Sequence, residues 1–246
     1  VVLAAGYATR LYPLTLNIPK PLLHITRDKT VIDFIVAELE KIAGVKEIIV
    51  VTNHKFAGDF KVWAKKRRSK LSISVLDDGT HCNEDRLGAV GDISYAVKKK
   101  KIDSDFLVFA GDNLFDQGVG RFYEFATSRR PHASIGLFDI GSKKDACRFG
   151  VVTVDRRGKI LSFEEKPAKP KSTLVATCLY FFPQETLKLL ERYVSDQETS
   201  KDAPGNYIRW LLGATGVYGF TLKKGHWHDI GHFDSYKEVV SQFSKA

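Results

Sequence analysis

"LAAGYATRLYPLTLNIPKPLL" occupies residues 3–23 and runs on from an apolar opening, "VVLAA" at residues 1–5, that reads as a buried strand. Pro13, Pro19 and Pro21 exclude regular structure beyond that strand, because proline fixes its own φ and has no N–H to give to a helix or a sheet ladder. The stretch therefore reads as a stiffened loop at the end of a buried strand, holding Arg10 and Lys20 near something negatively charged. Gly6, without a side chain, lets backbone amides approach phosphate oxygens.

Outward from this loop, apolar strands alternate with amphipathic helices. A helix over 30–43 starts at a Thr30–Asp33 capping box, carries Val31, Ile35, Leu39 and Ile42 on one face and closes at Gly44. "EIIVV" (47–51) is the next strand, and Phe56, Phe60, Trp63 and Ala64 mark a second helix. "LSISVL" (71–76) alternates, "DFLVFA" (105–110) is a buried strand, and Val119, Phe122, Phe125 and Ala126 form a further helix face. This rhythm predicts a parallel sheet covered on both sides by helices, a class that binds ligands at the carboxyl ends of its strands. The second half is richer in strands: "ASIGLF", "GVVTVD", "ILSFEEK" and "LVATCLYFF", with "RRGK" as a hairpin tip. Helices follow over 184–194 and 205–214, then the strand "VYGFTL", the turn "KKG" and a closing helix from 233. The expectation is an α/β fold with a mixed, mostly parallel central sheet, in one domain over 1–246 with no appended repeat domain.

Composition narrows the function classes. At 246 residues, 43% apolar and 27% charged, the chain has the make-up of a soluble globular protein with ample core. No apolar run approaches the ~20 residues of a membrane span, and no secretory apolar segment opens the sequence. Cys82, Cys147 and Cys178 are odd in number and lack CxxC spacing, which argues against a disulfide frame or a zinc site and for a cytoplasmic home. The net charge is +9, but its concentrated pieces, "KKRR" at 65–68 and "KKKK" at 98–101, each end a predicted helix, where cations suit the dipole. That placement predicts solvated faces with no nucleic-acid and no membrane partner, and the surplus suits a polyanionic small molecule.

Three charged motifs sit at strand ends. "FAGDN" places Asp112 directly after a buried strand, and "HWHDIG" places Asp229 at a similar turn. Each carboxylate fits a divalent-cation ligand over the sheet edge or an ordinary cap and turn former. "FEEKP" supplies Glu164, Glu165 and Lys166, alone as readily a solvated turn as a site. Arg10 can clamp phosphates bidentately and Lys20 can act as a point charge. Together these residues fit nucleotidyl or phosphoryl transfer, which needs mainly positioning and charge neutralisation.

The ordered series "LAAGYATRLYPLT…PKPLL", "RLGAVGD", "GDN", "FGVV", "EEKP" and "WHDIG" resembles the sugar-1-phosphate nucleotidylyltransferases over essentially the whole chain. "VATCLYFFPQ" is most similar to the glucose-1-phosphate thymidylyltransferase branch. The resemblance implies a Rossmann-like three-layer α/β/α core in which a sugar-1-phosphate attacks the α-phosphate of a nucleoside triphosphate and releases pyrophosphate. Those two molecules are the implied partners, glucose-1-phosphate with dTTP or UTP first among them, and a homo-oligomer is compatible with the sequence. It further implies catalytic roles for Arg10 and Lys20, magnesium held by Asp112 and Asp229, and nucleotide contacts from Leu3, Ala5, Gly6 and Gly88. Gly150, Glu165, Lys166 and the backbone at Thr177 would line the sugar-phosphate pocket.

The chain departs from the family pattern in three places. Ala8 stands where a second signature glycine is usual, Ala89 and Val90 follow Gly88 where a Gln or Thr is common, and Cys178 replaces a glycine beside the sugar. Two other readings stay open: a cytidylyltransferase acting on a phosphorylated alcohol such as phosphocholine, and a catalytically silent nucleotide-sugar-binding regulatory subunit. His226, His228 and His232 lie close in sequence, but His226 and His228 alternate with Trp227 and Asp229 and would face away from the metal carboxylate. His24 is expected to be structural.

Overall fold

In chain order the elements of the computed structural model are β1 (Val2–Leu3), α1 (Val31–Leu39), β2 (Glu47–Thr52), α2 (Ala57–Lys66), β3 (Ser72–Asp77) and α3 (Ala89–Lys100). Then come β4 (Phe106–Ala110), β5 (Asn113–Phe115), α4 (Val119–Thr127), β6 (Ala133–Asp139), α5 (Lys143–Ala146), β7 (Gly150–Val154) and β8 (Ile160–Glu165). The chain closes with β9 (Leu174–Phe182), α6 (Leu187–Ser195), α7 (Pro204–Ala214), β10 (Val217–Thr221), β11 (Trp227–Asp229) and α8 (Phe233–Phe243). Residues 1–223 and 227–243 are described; most of the predicted "KKG" turn, and His226, lie outside them. The architecture is a three-layer α/β fold with a mixed, mostly parallel central sheet.

The chain forms two compact units. The first comprises residues 1–86 and 109–120 together with the C-terminal segment from 227. Its strands β1, β2 and β3 and the end of β4 run parallel, with Val2 in register with both Val50 and Phe109, and Val50 in register with Val75. Burial on both faces accounts for the unbroken apolar runs: Val2, Val50, Val51 and Phe109 are fully buried. The capping box forms as expected, Asp33 accepting from the backbone and hydroxyl of Thr30 at 2.8 and 2.7 Å. Helix α1 ends at Leu39, short of the predicted 43, and the chain leaves it through a turn in which Ile42 N–H bonds Leu39 O. Beneath the opening loop, Leu23, Ile25 and Val31 share a core cluster with Leu114, Ile230 and Val239.

The second unit, residues 87–108 and 121–223, pairs β10 with β6 in parallel and β9 with β6 antiparallel. Strands β7 and β8 form the predicted hairpin, turning through "RRGK", where Gly158 has φ +80°. Two non-glycine residues at positions where the resemblance expects glycine take a left-handed backbone: Ala8 at φ 49° and Cys178 at φ 52°. In β9 the cause is visible in the register, which shifts between Ile135 and Leu137 so that Gly136 lies against Thr177 and Leu179.

A left-handed alanine costs about 1–2 kcal/mol over a relaxed backbone. Ala8→Gly is therefore expected to raise the melting temperature by about 2–4 °C. A calorimetric scan of the two proteins checks this, and an unchanged or lower temperature would contradict it.

Candidate active site

In the first unit the opening loop is anchored from several sides. Asn53, fully buried, donates to Ala5 O at 2.9 Å and so fixes the turn around Gly6. Thr15 donates to Ala8 O at 2.8 Å, and Lys20 lies in a short 3-10 turn begun by Pro19. Gly111 must be glycine, since a methyl group on it would lie 2.8 Å from Leu3 O and 2.9 Å from Pro21 Cγ. A methyl on Gly6 would meet no protein atom within 4 Å, so the chain's own packing does not demand that glycine. Arg10 is exposed at the end of its own 3-10 turn.

The loop delivers Lys20 to Asp112: Nζ donates to Oδ2 at 2.8 Å, with the two side chains 13% and 32% accessible. Strands β5 and β11 then bring in Asp229. They pair antiparallel with Asn113 directly opposite Asp229 and Phe115 opposite Trp227. The side-chain amide of Asn113 donates to Asp112 Oδ1 at 2.9 Å and to Asp229 Oδ1 at 3.5 Å, while Trp227 Nε1 donates to Asn113 Oδ1 at 2.6 Å. Burial by itself would push the Asp112 carboxyl up. The Lys20 ammonium, with help from the Asn113 amide, reverses this and holds it below the usual carboxylate range.

The expected separation of Asp229 from His228 follows from the two-residue period of β11. Trp227 and Asp229 both reach Asn113, whereas His228 packs edge-on against Phe243 at 5.8 Å. His232 accepts from Ser235 N at the start of α8. The backbone carbonyl of His24 accepts from Tyr236 OH at 2.7 Å.

In the second unit the β7–β8 register sets Gly150 opposite Glu165. A methyl on Gly150 would lie 2.4 Å from the Phe163 ring, and one on Gly205, in the first turn of α7, 2.1 Å from Glu165 Oε2. The two glycines seat Phe163 and the Glu165 carboxylate, the latter at a helix N-terminus, which favours negative charge. Lys166 follows in a left-handed conformation, φ 46°, with Nζ 4.0 Å from Glu165 Oε1. Thr177 is fully buried and its hydroxyl donates to Gly136 O at 3.0 Å, leaving only its backbone for any further contact. Gly88 caps α3 at φ 77°, and a methyl there would lie 2.5 Å from Lys201 O, so its identity serves the chain's own packing.

Lys20, Asp112 and Asp229 thus converge within one unit, and Gly150, Glu165 and Lys166 converge within the other. Asn113, Trp227, Gly111 and Gly205 were not singled out in the sequence. Asn113 sits inside "GDN" beside the more conspicuous carboxylate, and three-residue strands such as β5 and β11 leave no periodic signal. Among the described residues no group of three His, Cys, Asp or Glu side chains is arranged to hold a metal. Nor is any helix among them long and apolar enough to cross a membrane.

The chain belongs to the nucleotidyl transferase family, whose model matches residues 1–246. It is 27% identical to a glucose-1-phosphate adenylyltransferase of Fervidobacterium nodosum, over 97% of this chain and 59% of that protein. It is 29% identical to the bifunctional protein GlmU of Methanococcus aeolicus, over 94% of this chain and 51% of that protein. The chain thus spans about half to three-fifths of the length of these curated relatives. A solved structure of a "Putative Glucose-1-Phosphate Thymidylyltransferase" from Bacillus anthracis, in complex with a sucrose, superposes with a TM-score of 0.79 at 22% identity, covering 98% of this chain and 93% of that one. At that identity the likeness is one of fold, and it bears out the expected Rossmann-like class.

Glu165 supplies a test by pH. Burial is the largest influence on its carboxyl and Asp202 adds to it; Lys166 and Arg209 oppose them, and the net effect lifts the group above its ordinary 4.5. A carboxyl whose folded-state pKa is raised costs stability as the pH climbs from the unfolded value through the folded one. Glu165→Gln is therefore expected to melt about 1–2 °C higher than wild type at pH 7, with the difference closing below pH 4.5. Melting curves at pH 4 and pH 7 check this; a variant less stable at pH 7 would contradict it.

Proposed function

We propose that the chain transfers a nucleotidyl group from a nucleoside triphosphate to a sugar-1-phosphate. A phosphate oxygen of the acceptor forms the new bond to the α-phosphorus, the bond from that phosphorus to the oxygen bridging to the β-phosphate breaks, and pyrophosphate leaves. The observation that carries this reading is the Lys20–Asp112–Asn113–Asp229 cluster, assembled at the end of β4 from a loop and two short strands. A structural salt bridge needs one carboxylate; a second one tied to it through Asn113 suits a cation site.

In this reading Asp112 and Asp229 hold magnesium. Two carboxylates suit that ion, which is commonly bound by one or two of them and completes its shell with water and substrate phosphates. When bound there it would neutralise phosphate charge and orient the triphosphate. Lys20 places a point charge on the phosphate, and Arg10 stabilises charge that builds up during transfer. Leu3, Ala5 and Gly6 face the nucleotide through backbone, the open space at Gly6 admitting a phosphate, while Gly88 borders the base. On the acceptor, Lys166 binds the phosphate and Glu165 accepts from sugar hydroxyls, beside Gly150 and the backbone of Thr177.

Glucose-1-phosphate is the acceptor we favour, since it recurs in the names of the adenylyltransferase relatives and of the solved structure. For the base, the "VATCLYFFPQ" segment favours dTTP or UTP, while the adenylyltransferase relatives make ATP the competing donor.

The test crosses ATP, CTP, GTP, UTP and dTTP with glucose-1-phosphate, other sugar-1-phosphates and phosphocholine, reading pyrophosphate release. Release with a sugar-1-phosphate is expected. Asp112→Asn and Asp229→Asn should each lower kcat at least about 100-fold with unchanged circular dichroism, the several kcal/mol that a metal contributes to phosphoryl chemistry. Near wild-type turnover of either variant at saturating magnesium, or release with CTP and phosphocholine alone, would overturn the reading.

A further inference from the structure

Asn113 is 3% exposed and sits between two carboxylates and an indole. Its orientation is decided by chemistry. The Trp227 Nε1–H can only donate, so the Asn113 atom 2.6 Å away is the carbonyl oxygen. The amide nitrogen must then point the other way, and there it meets Asp112 Oδ1 at 2.9 Å and Asp229 Oδ1 at 3.5 Å. One NH2 group has two hydrogens, one for each carboxylate. Being neutral, it gathers the two acids without competing with a cation for their charge. It also engages the Oδ1 atom of each, while Asp112 Oδ2 is the atom that faces Lys20.

The backbone prepares this arrangement. Asn113 stands directly opposite Asp229 across β5 and β11, and Trp227, two residues earlier on β11, lies on the same face at the diagonal position. Two strand residues therefore address one buried amide, the tryptophan fixing its flip and the aspartate receiving its hydrogen.

We propose that Asn113, aimed by Trp227, is the positioning residue that holds Asp112 and Asp229 as a ready clamp for a divalent cation. The proposal rests on the metal reading given under Proposed function, and it adds that Trp227 reaches the two carboxylates through Asn113.

The probe is Mn2+ alone, titrated into the full chain without nucleotide or acceptor and read by electron paramagnetic resonance. Wild type is expected to bind one ion. Asn113→Ala should weaken binding about 10- to 100-fold, the range for lost outer-sphere partners of a metal site. Trp227→Phe keeps an aromatic ring but removes the N–H donor with the pyrrole part of the indole, and should weaken binding about fivefold, the worth of one hydrogen bond. The double variant should bind no more weakly than Asn113→Ala, because the two residues act in series. Should Asn113→Ala fail to fold, Trp227→Phe carries the test by itself. Unchanged Mn2+ affinity with only a lowered melting temperature, additive losses in the double variant, or no Mn2+ bound by wild type would each overturn the proposal. Pyrophosphate release is scored separately, so an intact transferase with an insensitive metal affinity refutes the positioning role and leaves the functional reading standing.

Discussion

Two carboxylates cannot be held side by side in a recess unless something offsets their repulsion and supplies hydrogen bonds for their oxygens. That constraint organises the first unit. Asp112 and Asp229 come from distant parts of the chain, and three devices reconcile them: the Lys20 ammonium, the Asn113 amide and the indole that aims the amide. The stiffness of the opening loop has its use here. The turn from Pro19 sets Lys20, and Gly111 lets Pro21 lie against the strand end that carries Asp112. The cluster is consequently a junction of backbone elements as much as a set of charges.

The second unit shows how glycine serves the chain's own packing. Gly150 and Gly205 leave room for Phe163 and the Glu165 carboxylate, and Gly88 lets the start of α3 close on residues 201 and 202. Glycines that a sequence motif assigns to substrate contact thus also have work within the fold. Gly6 is the contrast, open to space beyond the chain. Cys178 and Ala8 carry the same lesson in reverse, for their left-handed backbone persists under a side chain that disfavours it.

The sequence made the long elements legible because their signals are long. "LVATCLYFF" predicts a strand and is β9 over the same residues, and the Thr30–Asp33 capping box forms as expected. In the sequence Asp112 is legible as a charge directly after an apolar run, Lys20 as a cation in the stiffened opening loop and Asp229 as a carboxylate at the "HWHDIG" turn. The partners that join them are not, because pairing between three-residue strands is set by tertiary contacts and leaves no periodicity to read. Nor could the sequence show that Thr177 commits its hydroxyl to Gly136 or that Gly88 is needed by the chain itself, since both depend on which distant segments meet.

The central claim, that the Asp112–Asp229 pair is a cation site for a nucleoside triphosphate, is tested most directly by calorimetric titration of dTTP, UTP and ATP into wild type and Asp112→Asn, with and without Mg2+. The account predicts that at least one triphosphate binds wild type with an affinity that rises at least about tenfold when Mg2+ is added, and that Asp112→Asn loses this enhancement. Equal triphosphate affinity with and without Mg2+ in wild type, or an enhancement that survives in Asp112→Asn, would contradict it.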